Sequence, residues 1–166
     1  MVTDRSLSAA SYQGLEALNL LVGIWNLWAG FRRYRIHDMG PWEPIGNVNV
    51  GPLHTLYHPD GKHAAEFIVY EREHRRKTRA SRLSQAERAQ AYTKKLLKRI
   101  DQNRDPGRMK GWLRWYAAAL RLQGHESAFL RLWALMEQLT FTGANEGLSK
   151  AVNRASFLWP SPEVHR

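Results

Sequence analysis

The stretch from Trp112 to Trp159, WLRWYAAALRLQGHESAFLRLWALMEQLTFTGANEGLSKAVNRASFLW, restricts the fold more than any other part of the chain. Its aromatic and aliphatic residues recur at the three- and four-residue intervals that gather side chains on one side of a helix, and the pattern breaks at Gly124. Trp112, Trp115, Tyr116 and Ala119 form the first stripe, widened by Leu120 and Leu122, and Asp105-Pro106 marks its helix start: a capping carboxylate, then a proline at the first helical position. Phe129, Leu132, Trp133, Met136 and Leu139 form the second stripe, which ends near Thr142-Gly143. Asn145 is placed to cap a last helix that turns Leu148, Val152, Ser156 and Phe157 inward. Antiparallel helices with apolar stripes need a common core, so this stretch is expected to be that core.

The rest of the chain supplies partners for it. Leu15 to Phe31, LEALNLLVGIWNLWAGF, is apolar over most of a helical circumference and so reads as a central helix of a bundle. Arg32, Arg33 and Arg35 follow it, as they would follow a membrane anchor. Glu16, Asn19 and Asn26 interrupt the run, however, and it is shorter than the roughly 20 residues a bilayer demands, so no membrane span is expected. Beyond it, Met39-Gly40-Pro41 and Gly51-Pro52 break the helical period. Two β-prone runs, Leu53 to Tyr57 and Ala65 to Tyr70, flank Pro59-Asp60-Gly61-Lys62, which predicts a β-hairpin. A two-stranded ribbon is barely stable alone and has to lean on the helices. Residues 71–83 read as a basic linker or arm, and Ser84 with Glu87 reads as a capping box opening a helix that points Tyr92, Leu96, Leu97 and Ile100 inward. The fold class is therefore mainly α: one domain over residues 1–166, an up-and-down bundle of about five helices with a small hairpin inserted near residues 53–70.

Charge separates one quarter of the chain from the remainder. Of a net +10, nine positive charges come from the segment Glu71 to Lys110, with 14 basic against five acidic residues. Such an excess implies an acidic partner, and nucleic acid is the commonest one for a basic domain, with RNA the leading candidate. Arg75, Arg76, Lys77, Arg79 and Arg82 on the arm, and Lys94, Lys95, Lys98 and Arg99 on the outer face of the following helix, are the candidate nucleic-acid-binding residues. Few aromatics interleave with them, which argues against a platform for stacking unpaired bases. With 43% apolar residues the chain can bury a core without staples, and with no cysteine it has neither disulfides nor thiolate chemistry. A reducing, cytoplasmic setting is the corresponding expectation.

Self-sufficient catalytic signatures are missing. The chain has no phosphate-binding glycine loop, no dinucleotide fingerprint and no His-Glu-x-x-His helix, so no cofactor is expected. His54 and His58 stand four apart in a strand, roughly 13 Å, too far to share one ion. His58 and His63 flank the hairpin turn beside Asp60, where solvated side chains are expected and a metal site is not.

Two segments, GLEALNLLVGIWNL near the start and WLRWYAAALRLQ…AFLRLWALMEQLT…VNRASFLW later, resemble the Apea-like branch of the HEPN superfamily over roughly two thirds of the chain. That resemblance implies a helical bundle that often dimerises, found in phage-defence and RNA-processing systems. Active members are metal-independent RNases in which Arg-x(4 to 6)-His motifs, one from each protomer, form a composite site. The motif normally lies on a helix beyond the segment similar to Val152 to Trp159, and this sequence stops at Arg166 after Pro160-Ser161-Pro162. A domain cut short before its catalytic helix is the resulting expectation. Arg32 and His37 supply the one Arg-x-x-x-x-His spacing present, and are the candidate catalytic pair. In that role His37 would act as general base on a ribose 2′-hydroxyl and Arg32 would stabilise the phosphorane. Glu137 falls at the polar position of the family's Leu-Glu helix, where an exposed step beside the core stripe is expected. Three functions stay open: a catalytically silent domain that binds RNA or a nucleoprotein, a protein-interaction or dimerisation bundle of the toxin–antitoxin kind, and a metal-independent RNase.

Overall fold

A computed structural model of the chain describes residues 6–29, 45–51, 53–70, 85–122, 124–140 and 147–156. It is mainly helical, with helices α1 (Leu7–Ala29), α2 (Ala86–Asp101), α3 (Pro106–Arg121), α4 (His125–Thr140) and α5 (Leu148–Ser156). Strands β1 (Leu53–Tyr57) and β2 (His63–Tyr70) pair between α1 and α2 in the chain.

Local signals explain most of the boundaries. The Ser6 hydroxyl accepts the Ala9 N–H at 3.1 Å, capping α1 eight residues before the apolar run begins. Asp105 accepts the Arg108 N–H at 3.0 Å ahead of Pro106, as the start signal requires. Gly124, with φ +93°, supplies the left-handed turn between α3 and α4 that a side chain would resist. At the opening of α2 the capping position is Gln85, itself left-handed at φ 74° and without a side-chain cap bond, one residue later than the capping box implied. Ser84 and Asn145 lie outside the described residues.

β1 and β2 are antiparallel, with Leu53 opposite Tyr70, His54 opposite Val69 and Thr55 opposite Ile68. The register then slips, so that Tyr57 faces His63. Gly61 takes φ +82° in the turn, and Asp60 accepts the Lys62 N–H at 3.0 Å, the self-bonding that suits Asp to this position. β1 lies against α1, which is the support the ribbon needs.

The centre of the molecule is the seam where α1 crosses α3, with α2 and α4 packed at its sides. Small residues make it. Val22, Val50 and Ala117 form the core cluster with Leu18 packed against them, and Ala119 and Leu120 are buried beside it. At Gly23 the backbones approach so closely that a Cβ would overlap the Leu113 carbonyl. Asn26 is buried nearby: its Nδ2 donates to the carbonyls of Val22 and Val48, each at 2.9 Å, and its Oδ1 accepts the Val48 N–H at 3.0 Å. This side chain clasps segment 45–50 to α1, and Gly46 N–H adds a 3.0 Å bond to the Leu120 carbonyl. Trp25 Nε1 donates to Thr93 Oγ1 at 3.0 Å, tying α2 to the same seam. Arg114 Nε reaches the Glu16 carboxylate at 3.0 Å, joining α3 to α1 at the half-exposed margin. Tyr116 on α3 has its phenol pushed above its ordinary pKa by burial.

Two expectations change here. The core is centred on α1 and α3, not on the stretch after Trp112 alone, because glycine and alanine let backbones approach where aromatic stripes do not. In α4 the buried residues are Ala128, Leu135 and Thr140, whereas Phe129 and Leu139 are 59% and 48% exposed, as is neighbouring Leu130 at 65%. Val152 on α5 is likewise exposed at 47% rather than inward. The apolar arc of α4 is wider than α3 alone covers.

Candidate nucleic-acid interface

The α2 helix carries the site. Ala89, Thr93 and Ile100 are buried, and Tyr92, Leu96 and Leu97 are half-buried, so the inward stripe falls where the spacing predicts. Every third or fourth position being spent on packing leaves the intervening ones to solvent, and Lys94, Lys95, Lys98 and Arg99 occupy them, all exposed. Arg88 shares this face, seven residues before Lys95. That position was not singled out from the sequence, although the two-turn interval to Lys95 is the signal that finds it.

Of the acidic residues of α2, Asp101 is drawn away to Lys110 on α3 at 2.7 Å, and Glu87, seven residues before Lys94, stands at the N-terminal end of this face, where it complements the positive end of the helix dipole. Lys98 and Arg99 lie in the last turn, where they also complement the negative end, a local stabilising role compatible with ligand binding. Among the described residues no carboxylate pairs with Lys94, Lys95, Lys98 or Arg99.

Around the corner, Arg104 and Arg108 are exposed in the α2–α3 turn and the first turn of α3. The Arg108 guanidinium lies 4.8 Å over the Trp112 ring, whose Nε1 donates to Gln138 Oε1 at 3.3 Å. Trp112 is thus occupied on one face and at its edge.

The other sequence candidates are placed as follows. Arg75, Arg76, Lys77, Arg79 and Arg82, and the pair Arg32 and His37, lie outside the described residues. At the hairpin the His63 ring packs on Tyr57 with centroids 4.5 Å apart, and Asp60 is engaged by Lys62. No group of three metal-capable side chains occurs among the described residues. Glu137 is half-buried rather than exposed and accepts the Trp133 indole N–H at 2.8 Å, so its carboxylate serves a contact within α4. Among the described residues no helix is long and apolar enough to cross a membrane.

No family model, curated protein or solved structure matches this chain.

Proposed function

We propose that the chain is a helical domain that binds the phosphate backbone of a nucleic acid through the outer face of α2. The observation that carries this reading is the exposed set Lys94, Lys95, Lys98 and Arg99, with Arg88, on the side of α2 opposite its buried residues and without carboxylate partners among the described residues. Cations so placed displace condensed counterions from a polyanion, which produces affinity without reading base identity. RNA is the partner that the HEPN likeness implies. The reading assigns binding alone to α2 and no cleavage to any described residue.

Fluorescence anisotropy with a labelled 20-nucleotide RNA tests it. Binding is expected to weaken steeply with salt, with log K falling by about three for each decade of salt if four or five phosphates are neutralised. Replacing Lys94, Lys95, Lys98 and Arg99 together by alanine should lower the affinity more than tenfold at low salt while lowering the melting temperature by only a few degrees, for the loss of two charges from the last turn of α2. Affinity that ignores salt, or survives the quadruple substitution, would sink the reading. The exposed Phe129, Leu130 and Leu139 on α4 favour a second reading, a protein-interaction bundle, which takes over if neither RNA nor DNA is bound even at low salt.

A further inference from the structure

We infer that α2 binds a double helix, specifically B-form DNA, by lying in the major groove and gripping a strand on either side. The inference rests on the reading that α2 is a nucleic-acid interface, and it names the form of nucleic acid. Its basis is the arrangement of the cations, not their number.

Successive helical residues are about 100° apart, so Lys94 and Lys98 stack in one row, with Glu87 two turns before them, while Lys95, Arg99 and Arg88 stack in another. The mean directions of the rows differ by about 100° around the axis, so at the roughly 5–6 Å side-chain radius of a helix they stand roughly 8–9 Å apart, and extended lysine and arginine side chains reach outward from there. The major groove of B-form DNA is about 12 Å wide and admits an α-helix. A helix seated there presents one row to each phosphate strand. Within each row the i, i+4 pairs, Lys94 with Lys98 and Lys95 with Arg99, are about 6 Å apart along the axis.

What lies between the rows fits the same geometry. Ala91 occupies the seam, exposed and small, so nothing bulky holds the helix away from the groove floor. Gln102, the exposed C-cap residue, stands in line with Ala91 at the far end of that seam, and no arginine or asparagine of α2 lies between the rows. Binding therefore rests mainly on phosphates rather than on base edges. Tyr92, the one aromatic of α2, is half-buried beside Leu96 on the inner side, so the outer face offers no ring on which an unpaired base could stack. A-form RNA is disfavoured as well, because its major groove is too deep and narrow for side chains to enter. In this respect the geometry departs from the RNA partner that the family likeness implies.

Three labelled probes decide the matter with the full chain: a 20-bp DNA duplex, one of its strands alone, and an RNA duplex of the same sequence. The DNA duplex should bind at least tenfold more tightly than the other two, and a duplex of scrambled sequence should bind equally well. Two double variants, Lys94→Ala with Lys98→Ala and Lys95→Ala with Arg99→Ala, remove two cations from one row each, leaving Arg88 in the second. Each should flatten the salt slope on duplex DNA by about two, and the two losses should be similar. Equal or tighter binding of the single strand or of the RNA duplex would overturn the duplex assignment while leaving the α2 interface standing. Dependence on one row alone would also overturn it, since a groove has two walls. Absence of binding to all three probes removes both the inference and the reading beneath it. Thermal melts of the variants, expected to shift by no more than a few degrees because all four residues are exposed, keep misfolding from imitating a binding loss.

Discussion

The α1–α3 seam and the outer face of α4 are both apolar helical surfaces, yet one is closed down to backbone contact and the other is left to solvent. Gly23 and Ala117 close the first, and Phe129 and Leu130 stand out from the second. By hydrophobicity the ranking should be reversed. The difference teaches that burial is set by how near two backbones can come, and that large side chains on a wide arc outrun the partners available to cover them.

This contrast can be broken by substitution. Gly23→Val should have the largest effect, a loss of about 3 kcal/mol, because the new side chain starts in overlap with the Leu113 backbone, which cannot rotate away as a side chain would. Urea unfolding measures it, and an unchanged midpoint would mean that the seam is looser than the contact implies. Asn26→Ala comes next, at about 2 kcal/mol, since it removes a buried side chain and leaves the half-buried Val48 N–H without its acceptor. The same unfolding curves sharpen the point: a loss under about 0.5 kcal/mol would show that water replaces the clasp. The smallest effect belongs to α4, where Phe129→Ser with Leu130→Ser should cost less than about 1 kcal/mol in total, as exposed positions do. A loss above about 2 kcal/mol would place both residues in contacts and erase the contrast.

Legibility in the sequence followed the range of the interactions. The ends of β1, the Pro59–Lys62 turn, the Asp105-Pro106 start and the Gly124 break depend on residues within four positions, and each was readable. The cationic face of α2 was readable for the same reason, because period alone separates Lys94, Lys95, Lys98 and Arg99 from Ile100. The seam was not readable, since Gly23 and Ala117 are about 90 residues apart and small residues leave no mark in a pattern weighted by aromatics. Nor was the face of α4, because Phe129, Leu132 and Trp133 fit a helical stripe whether or not a neighbour arrives to meet it. Asn26, a polar interruption of the apolar run in the sequence, is a fastener of the core in the structure.

That fastener bears on how the molecule opens. The Val48 and Gly46 N–H groups belong to a segment with no regular secondary structure, where amide protons ordinarily exchange with solvent almost freely. Here the first is held by Asn26 and the second by the Leu120 carbonyl, both at 3.0 Å. Their release requires segment 45–50 to lift away from α1 and α3, so these two protons exchange more slowly than loop amides ordinarily do and report, from within a loop, on the loss of its hold on both helices.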